Sequence, residues 1–229
     1  MNQKHHIVFF TGAGISQESG IETFRDTNGL WHNHKVEDIA SKDGFEKNPQ
    51  VVLDFYNQRR EVVEKAQPNL AHNLIASLED RYKVSVITQN VDDLHERAGS
   101  SNVMHLHGEL NKCRSSKNSH LIYPYTESLK VGDLAEDGSQ LRPHIVWFGE
   151  EVVEIEKAIE ITQTADLFII IGTSMVVQPV GSLLLSVPVD AQTVYIDLNP
   201  DVEDGINLLV LKEKATVGMK QLVEDYLPY

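Results

Sequence analysis

Four short apolar runs, Ile7–Thr11, Val84–Thr88, Leu167–Ile171 and Thr193–Ile196, set the tightest limit on how this chain can fold. Each is rich in Val, Ile or Phe and is bounded by Gly, Asn or Asp. Runs that are apolar on both sides have no face to give to water, so they suit strands buried on both faces of a parallel sheet. Segments of helical periodicity lie between and after them, at 50–65, 70–80, 91–98, 152–164 and 216–226. This alternation predicts an open α/β sheet with helices on both faces. Two stretches break the pattern. Residues 20–48 read as a long ordered loop with short helices, and 109–145 show mixed charge and little periodicity. Loops of that length inside a domain are usually functional or form a second lobe.

Composition narrows the function. The chain has 229 residues, one to two domains at ~150 residues each. Lys plus Arg is 20 against Asp plus Glu 34, a formal charge of −14. Such a surface repels a phosphate backbone, so nucleic acid is not an expected partner, whereas a basic peptide would be attracted. Cys113 is the only cysteine, which excludes an intramolecular disulfide and a multi-cysteine zinc site. The first residues run straight into an apolar strand, leaving no room for a signal peptide. The apolar region 167–189 is broken by Gly172, Gln178, Pro179 and Gly181, so no membrane span is expected, and a reducing cytoplasm fits best.

Polar or glycine-rich loops follow all four runs, where strand carboxyl ends form the ligand crevice of such a sheet. In Thr11-Gly12-Ala13-Gly14-Ile15-Ser16, backbone N–H groups can approach a pyrophosphate. The third glycine of a standard dinucleotide fingerprint would fall at Gln17, so the same residues also read as an ordinary βα turn. In Thr88-Gln89-Asn90-Val91-Asp92-Asp93-Leu94-His95, polar side chains can hold ribose hydroxyls and a carboxamide, or Asn90 can cap a helix, or both. In His105-Leu106-His107-Gly108-Glu109, an extended segment points both histidines the same way, and histidine suits a general base near neutral pH. A metal reading would need Cys113 or His95 as third ligand and is disfavoured. Gly172-Thr173-Ser174 and Asp197-Leu198-Asn199-Pro200 follow the last two runs. Singly each loop is common; four on one sheet edge point to a nucleotide site. On a helix, Tyr56 and Arg59 share a face and could receive a carboxylate, the alternative being a solvated charged face.

In order and approximate spacing these segments resemble the sirtuins, the NAD-dependent protein-lysine deacylases, from residue 7 to about residue 200. The resemblance rests on Gly12-Ala13-Gly14-Ile15-Ser16, Ser19-Gly20-Ile21, Thr23-Phe24-Arg25-Asp26, Thr88 to His95, His107-Gly108-Glu109, Arg142 to Glu150, and Gly172-Thr173-Ser174. It implies a Rossmann-like doubly wound parallel sheet with a smaller insertion lobe, in one catalytic domain spanning 1–229. The large lobe would comprise about 1–26, 82–108 and 150–229, and the small lobe about 27–81 and 109–149. NAD, consumed as co-substrate, would lie under the loop from Gly12 to Trp31, against Gly12, Ala13, Gly14, Ser16, Thr23, Phe24, Arg25 and Trp31 itself. Gln89 and Asn90 would hold the nicotinamide ribose, and Asp92 the carboxamide. Gly172, Ser174 and Asn199 would contact the adenosine half, with Thr173 and Ala215 also on the cofactor. An acyl-lysine peptide would pair with Val146–Gly149 as an added strand, against Val146, Phe148, Gly149 and Glu150. His107 and Asn90 are the implied catalytic residues. In the family's chemistry the acyl oxygen attacks the ribose carbon bearing nicotinamide, and His107 draws a proton from a ribose hydroxyl. Water completes the transfer, giving lysine, nicotinamide and an acylated ADP-ribose.

Two details refine the resemblance. Tyr56 and Arg59 match the Tyr-x-x-Arg pair of sirtuins that remove succinyl or malonyl groups, so activity on these is expected beside deacetylation. Most sirtuins bind a structural zinc with four cysteines, and only Cys113 stands in that region. A zinc-free lobe is therefore expected, held by Leu121-Ile122-Tyr123, Tyr125, Leu129, Val131, Leu134 and Leu141, in a monomer that needs only NAD and acyl-lysine protein. The rivals are a dehydrogenase, against which the incomplete fingerprint counts, a non-catalytic NAD sensor, against which His107 counts, and an ADP-ribosyltransferase using the same pocket.

Overall fold

The computed structural model describes residues 5–22, 30–31, 34–173, 180–200 and 202–227. The first half of the chain forms β1 (His6–Thr11), α1 (Gly14–Gln17), β2 (Leu30–Trp31), β3 (His34–Lys35), α2 (Val36–Ile39), α3 (Lys42–Lys47), α4 (Pro49–Lys65), α5 (Leu70–Ser77), β4 (Lys83–Thr88), α6 (Leu94–Arg97), β5 (Val103–His105) and β6 (Gly108–Ser115). There follow β7 (Ile122–Pro124), β8 (Leu141–Ile145), α7 (Ile155–Thr162), β9 (Leu167–Ile171), β10 (Gln192–Ile196), β11 (Leu208–Leu211) and α8 (Ala215–Gln221).

The four apolar runs become β1, β4, β9 and β10 of a six-stranded parallel sheet, in the order β11-β10-β9-β1-β4-β5. Both faces are buried. Ile7, Phe9, Ile169, Ile171, Val194 and Ile196 pack towards α5 and α8. Val8, Phe10, Phe168, Ile170 and Tyr195 pack on the opposite face with Ala158 of α7. Period-2 alternation of two apolar sets explains why no polar face shows in the sequence. The strand order turns back at β1, whose neighbours are β4 and β9. Register places Thr11 beside Thr88 and Ile171, and Ile171 beside Ile196. The four loops after these residues therefore leave the sheet at one level, around its switch point.

A second body covers that edge. Helices α2, α3 and α4 pack with a three-stranded antiparallel sheet in the order β7-β6-β8, around Ile39, Leu53, Phe55, Leu110 and Trp147. Asn48 caps α4 by accepting the Val51 N–H, and Pro49 at the first position has its φ preset for a helix. The stretch 109–145, read from the sequence as showing little periodicity, carries the three strands of this sheet. A register shift between Glu109 and Cys113 and burial of Cys113, Arg114 and Ser115 in succession erase the alternation. Helix α5 packs against α8, which puts residues 70–80 with the large sheet, although the sequence boundary at 81 assigned them to the small lobe.

The apolar set expected to hold the small lobe is only partly used. Leu129 is buried, and Tyr123, Tyr125 and Leu141 pack on the core, whereas Ile122, Val131 and Leu134 are exposed. Side-chain hydrogen bonds supply the rest. Buried Arg60 donates to the carbonyls of Leu110 at 2.9 Å and Glu127 at 3.0 Å. Asn57 brackets Leu129, donating to its carbonyl and accepting from its N–H, both at 2.9 Å. Ser115 donates to Asp137 at 2.6 Å and sits 2.7 Å from Ser139. The bonds to Glu127 and Leu129 satisfy loop backbone groups that would otherwise be stranded.

Candidate active site

A cavity of about 550 Å³ opens where the loops of the switch point face the small lobe. Its floor is the contact between the first turn and the β9 loop. A Cβ on Gly12 would lie 2.6 Å from Thr173, and one on Gly14 would lie 2.5 Å from the Gly172 backbone. Gly172 has φ +62, and a Cβ there would lie 2.6 Å from Gly14. Only glycine at these positions lets the two loops touch. Their N–H groups are not aimed at a ligand: Gly12 donates to Ile171 and Gly14 to Gly172, each at 2.9 Å. The glycines therefore shape the turn, and among the described residues the Ala13 N–H is the one in it without a partner.

The second wall is the β4 loop. Asn90 donates its side-chain N–H to Ser16 at 3.1 Å, and Ser16 donates to Asp92 at 3.1 Å. Asp92, not Asn90, accepts the Leu94 N–H at the start of α6, at 3.2 Å. Burial raises the Asp92 pKa, opposed by the Leu94 and Ser16 hydrogen bonds. Thr173 donates to the Gln89 side-chain oxygen at 2.7 Å, while Gln89 Nε2 is buried without a partner among the described residues. A buried amide donor of this kind fits a ribose hydroxyl, which could accept from it.

His107 closes this wall. Its Nδ1 lies 3.0 Å from the Gln89 carbonyl oxygen, which can only accept. Nδ1 therefore carries the hydrogen, and the neutral ring keeps its lone pair on Nε2. Burial lowers the His107 pKa, partly offset by the Gln89 carbonyl, so the ring is neutral at physiological pH.

The small lobe supplies the opposite wall. Tyr56 and Arg59 lie on one face of α4, both buried and both lining the cavity. Trp147 donates its indole N–H to the Tyr56 hydroxyl oxygen at 3.0 Å. The Arg142 guanidinium stacks 3.2 Å from the centre of the Trp147 ring. Glu150 ties this corner together, accepting from Arg142 at 2.6 Å, from Arg114 at 2.9 Å and from the Trp147 N–H at 2.9 Å. Its burial would raise the pKa, but the arginines hold the carboxyl below its usual value. Phe148 is 60% exposed at the mouth. Val146 and Phe148 donate their N–H groups to His107 and Ala40, so a pairing peptide would have to use their carbonyls or the Gly149 N–H.

The cavity thus gathers Ala13, Gly14, Ser16, Gln89, Asn90, Asp92 and His107 with Gly172, Thr173, Asn199 and Ala215, and across from them Tyr56, Arg59, Val146, Phe148, Gly149 and Glu150. Gly12 sits just beneath. Thr23, Phe24, Arg25 and Ser174 lie outside the described residues, as does the side chain of Trp31. Trp147 went unassigned from the sequence, although it stands inside the Arg142–Glu150 segment, where an indole between substrate residues was the available signal. Ala40 and Glu22 also line the cavity, and nothing local in the sequence marks them.

The comparisons agree with this geometry. The Sir2 family profile matches residues 12–179. An NAD-dependent protein deacylase of Helicobacter pylori (strain ATCC 700392 / 26695) is 51% identical over 95% of this chain and 96% of its own. One from Bacteroides thetaiotaomicron is 48% identical over 97% of this chain and 98% of its own. The crystal structure of a Sir2 homologue–NAD complex superposes with a TM-score of 0.85 at 40% identity, covering 96% of this chain and 89% of that one. The fold and site are those of an NAD-handling α/β enzyme. The chain belongs to the Sir2 family.

The residues present do not fit the structural zinc that the resemblance brings to mind. Cys113 is buried in β6 opposite Pro143 and Tyr123. Among the described residues no group of three or more His, Cys, Asp or Glu converges to hold a metal. No helix among them is long and apolar enough to cross a membrane.

Proposed function

We propose that this chain is an NAD-dependent protein-lysine deacylase that removes acetyl groups and, through Tyr56 and Arg59, succinyl and malonyl groups. The observation that carries the reading is His107, its tautomer set by the Gln89 carbonyl, lining one cavity with Asn90, Asp92, Tyr56 and Arg59. Bound NAD supplies a ribose carbon already activated by a cationic nicotinamide leaving group. Asp92 accepts the carboxamide N–H and so fixes the face of the ring. Asn90 and Gln89 hold the ribose, keeping its hydroxyls within reach of His107. The acyl oxygen would displace nicotinamide from that ribose carbon. His107 would take a proton at Nε2 from one of these hydroxyls as the hydroxyl oxygen attacks the acyl carbon, and water would then free the lysine. Trp147 and Phe148 wall the acyl-lysine and keep bulk water from the reacting atoms. The products are free lysine, nicotinamide and an acylated ADP-ribose.

Incubation with acetyl-, succinyl- and malonyl-lysine peptides tests the reading. Nicotinamide release should match peptide deacylation one to one and require NAD. A protein target that gains ADP-ribose without losing acyl would favour transferase chemistry instead. We further infer a monomeric cytoplasmic protein, supported by the acidic surface and the single buried thiol. The small lobe is held without zinc, by the Arg60, Asn57 and Ser115 bonds. Elemental analysis of purified protein should give zinc well below one per chain, and a chelator should leave activity unchanged; stoichiometric zinc would refute this.

A further inference from the structure

His105 stands two residues before His107 and has no part in the steps above. We propose that Glu96 and His105 form a charged positioning pair that fixes the nicotinamide side of the site, an inference that rests on the deacylase reading and adds a second histidine to it.

His105 Nδ1 lies 2.8 Å from the Asn90 carbonyl and Nε2 lies 2.8 Å from the Glu96 carboxylate. Both partners accept only, so both ring nitrogens must carry hydrogen, and the ring is an imidazolium. Its side chain is 7% exposed, so water offers little replacement for either bond. A neutral ring has one N–H and would abandon either the loop or the carboxylate. The consequence reaches the loop directly. The carbonyls of Gln89, Asn90 and Val91 are held in succession by His107, His105 and the Leu110 N–H, all from one chain segment. Two of the three anchors are side chains of residues 105–107, and the middle one depends on a proton. Asn90 and Asp92, whose side chains face the cavity, are aimed by this stretch.

The charged groups around the ring favour the cation. Glu96 on α6 and Glu109 on β6 both do so, and the ring in turn favours the Asp92 carboxylate. Lys112 is engaged by Glu109 at 2.5 Å, and neighbouring His95 on α6 is buried and neutral. Burial alone would depress the His105 pKa, but Glu96, with the Asn90 carbonyl and Glu109, more than reverses this. A raised folded pKa means the bracing form is complete at low pH and is lost as pH rises through that value.

The test is Glu96→Gln, which keeps side-chain volume on the helix surface and removes the charge. The KM for NAD should rise about tenfold, the range of one charge-assisted hydrogen bond, with the KM for acyl-peptide unchanged. The alkaline fall of kcat/KM for NAD should move to lower pH, and Glu96→Asp should restore it in part. An unmoved alkaline limb overturns the proposal. So does a loss in which both KM values and thermal stability change together, since that is what a merely structural residue would produce. Wild-type turnover of acyl-peptides tests the deacylase reading separately, so the two failures are distinguishable.

Discussion

His107→Ala should lower NAD-dependent deacylation by ~10²–10⁴-fold, the usual contribution of a positioned general base. The loss belongs chiefly in kcat, because the proton acceptor is removed, with a smaller rise in the KM for NAD from losing the anchor of the Gln89 carbonyl. Stability should change little: one hydrogen bond worth about 1 kcal/mol disappears from a half-buried position, which shifts Tm by roughly 2–4 °C. The pH profile gives the sharper check. Burial lowers the His107 pKa, so its acid limb lies below the ordinary histidine value. That limb should vanish in the residual activity of the variant. Near-wild-type turnover by a folded His107→Ala protein would remove the chemical basis of the assignment.

Arg59→Met should separate the acyl groups. Arg59 is 6% exposed within the cavity, with the Asp92 and Glu22 charges nearby supporting its cationic form against burial. Tyr56 beside it accepts the Trp147 indole N–H and therefore still has its own O–H to donate. Burial raises the Tyr56 pKa, which keeps that proton in place. A succinyl or malonyl carboxylate would meet a guanidinium and a phenol; an acetyl methyl would meet neither. Methionine preserves most of the volume, so kcat/KM on succinyl-lysine peptide should fall about 10- to 100-fold, equivalent to losing a charged hydrogen bond of about 1.5–3 kcal/mol. Deacetylation should stay within about threefold, a change too small for loss of a charged contact. Equal losses on both peptides, measured in parallel, would show that Arg59 supports the wall rather than reads the acyl group.

Much of this site was legible because its nucleotide half is built from local signals. A strand buried on both faces must be apolar throughout, and the loop after it must be polar or glycine-rich; Gly12, Gln89, Gly172 and Asp197 announce themselves in that way. What each does was less legible. The glycines read either as phosphate donors or as an ordinary βα turn, and Gly12 and Gly14 give their N–H groups to the β9 end, because two loops touch there. Asn90 read as a ribose contact, a cap or both; Asp93 stands at the start of α6, Asp92 accepts the Leu94 N–H, and Asn90 turns to Ser16. Strand β11 shows a converse failure: the apolar run Leu208–Leu211 was not among the expected strands, whereas α8 lies where a helix was expected.

The chain's own order of residues determined the parallel sheet and the level at which four loops leave it, since periodicity and strand ends depend on neighbours along the backbone. Only tertiary structure decided how the small lobe is tied, which tautomer His107 adopts, and that His105 is a charged brace. Those properties arise between groups such as Arg60 and Glu127, or Glu96 and His105, that approach only after the chain has folded. Hydrogen-bond direction and burial belong to pairs in space, and no spacing along the sequence encodes them.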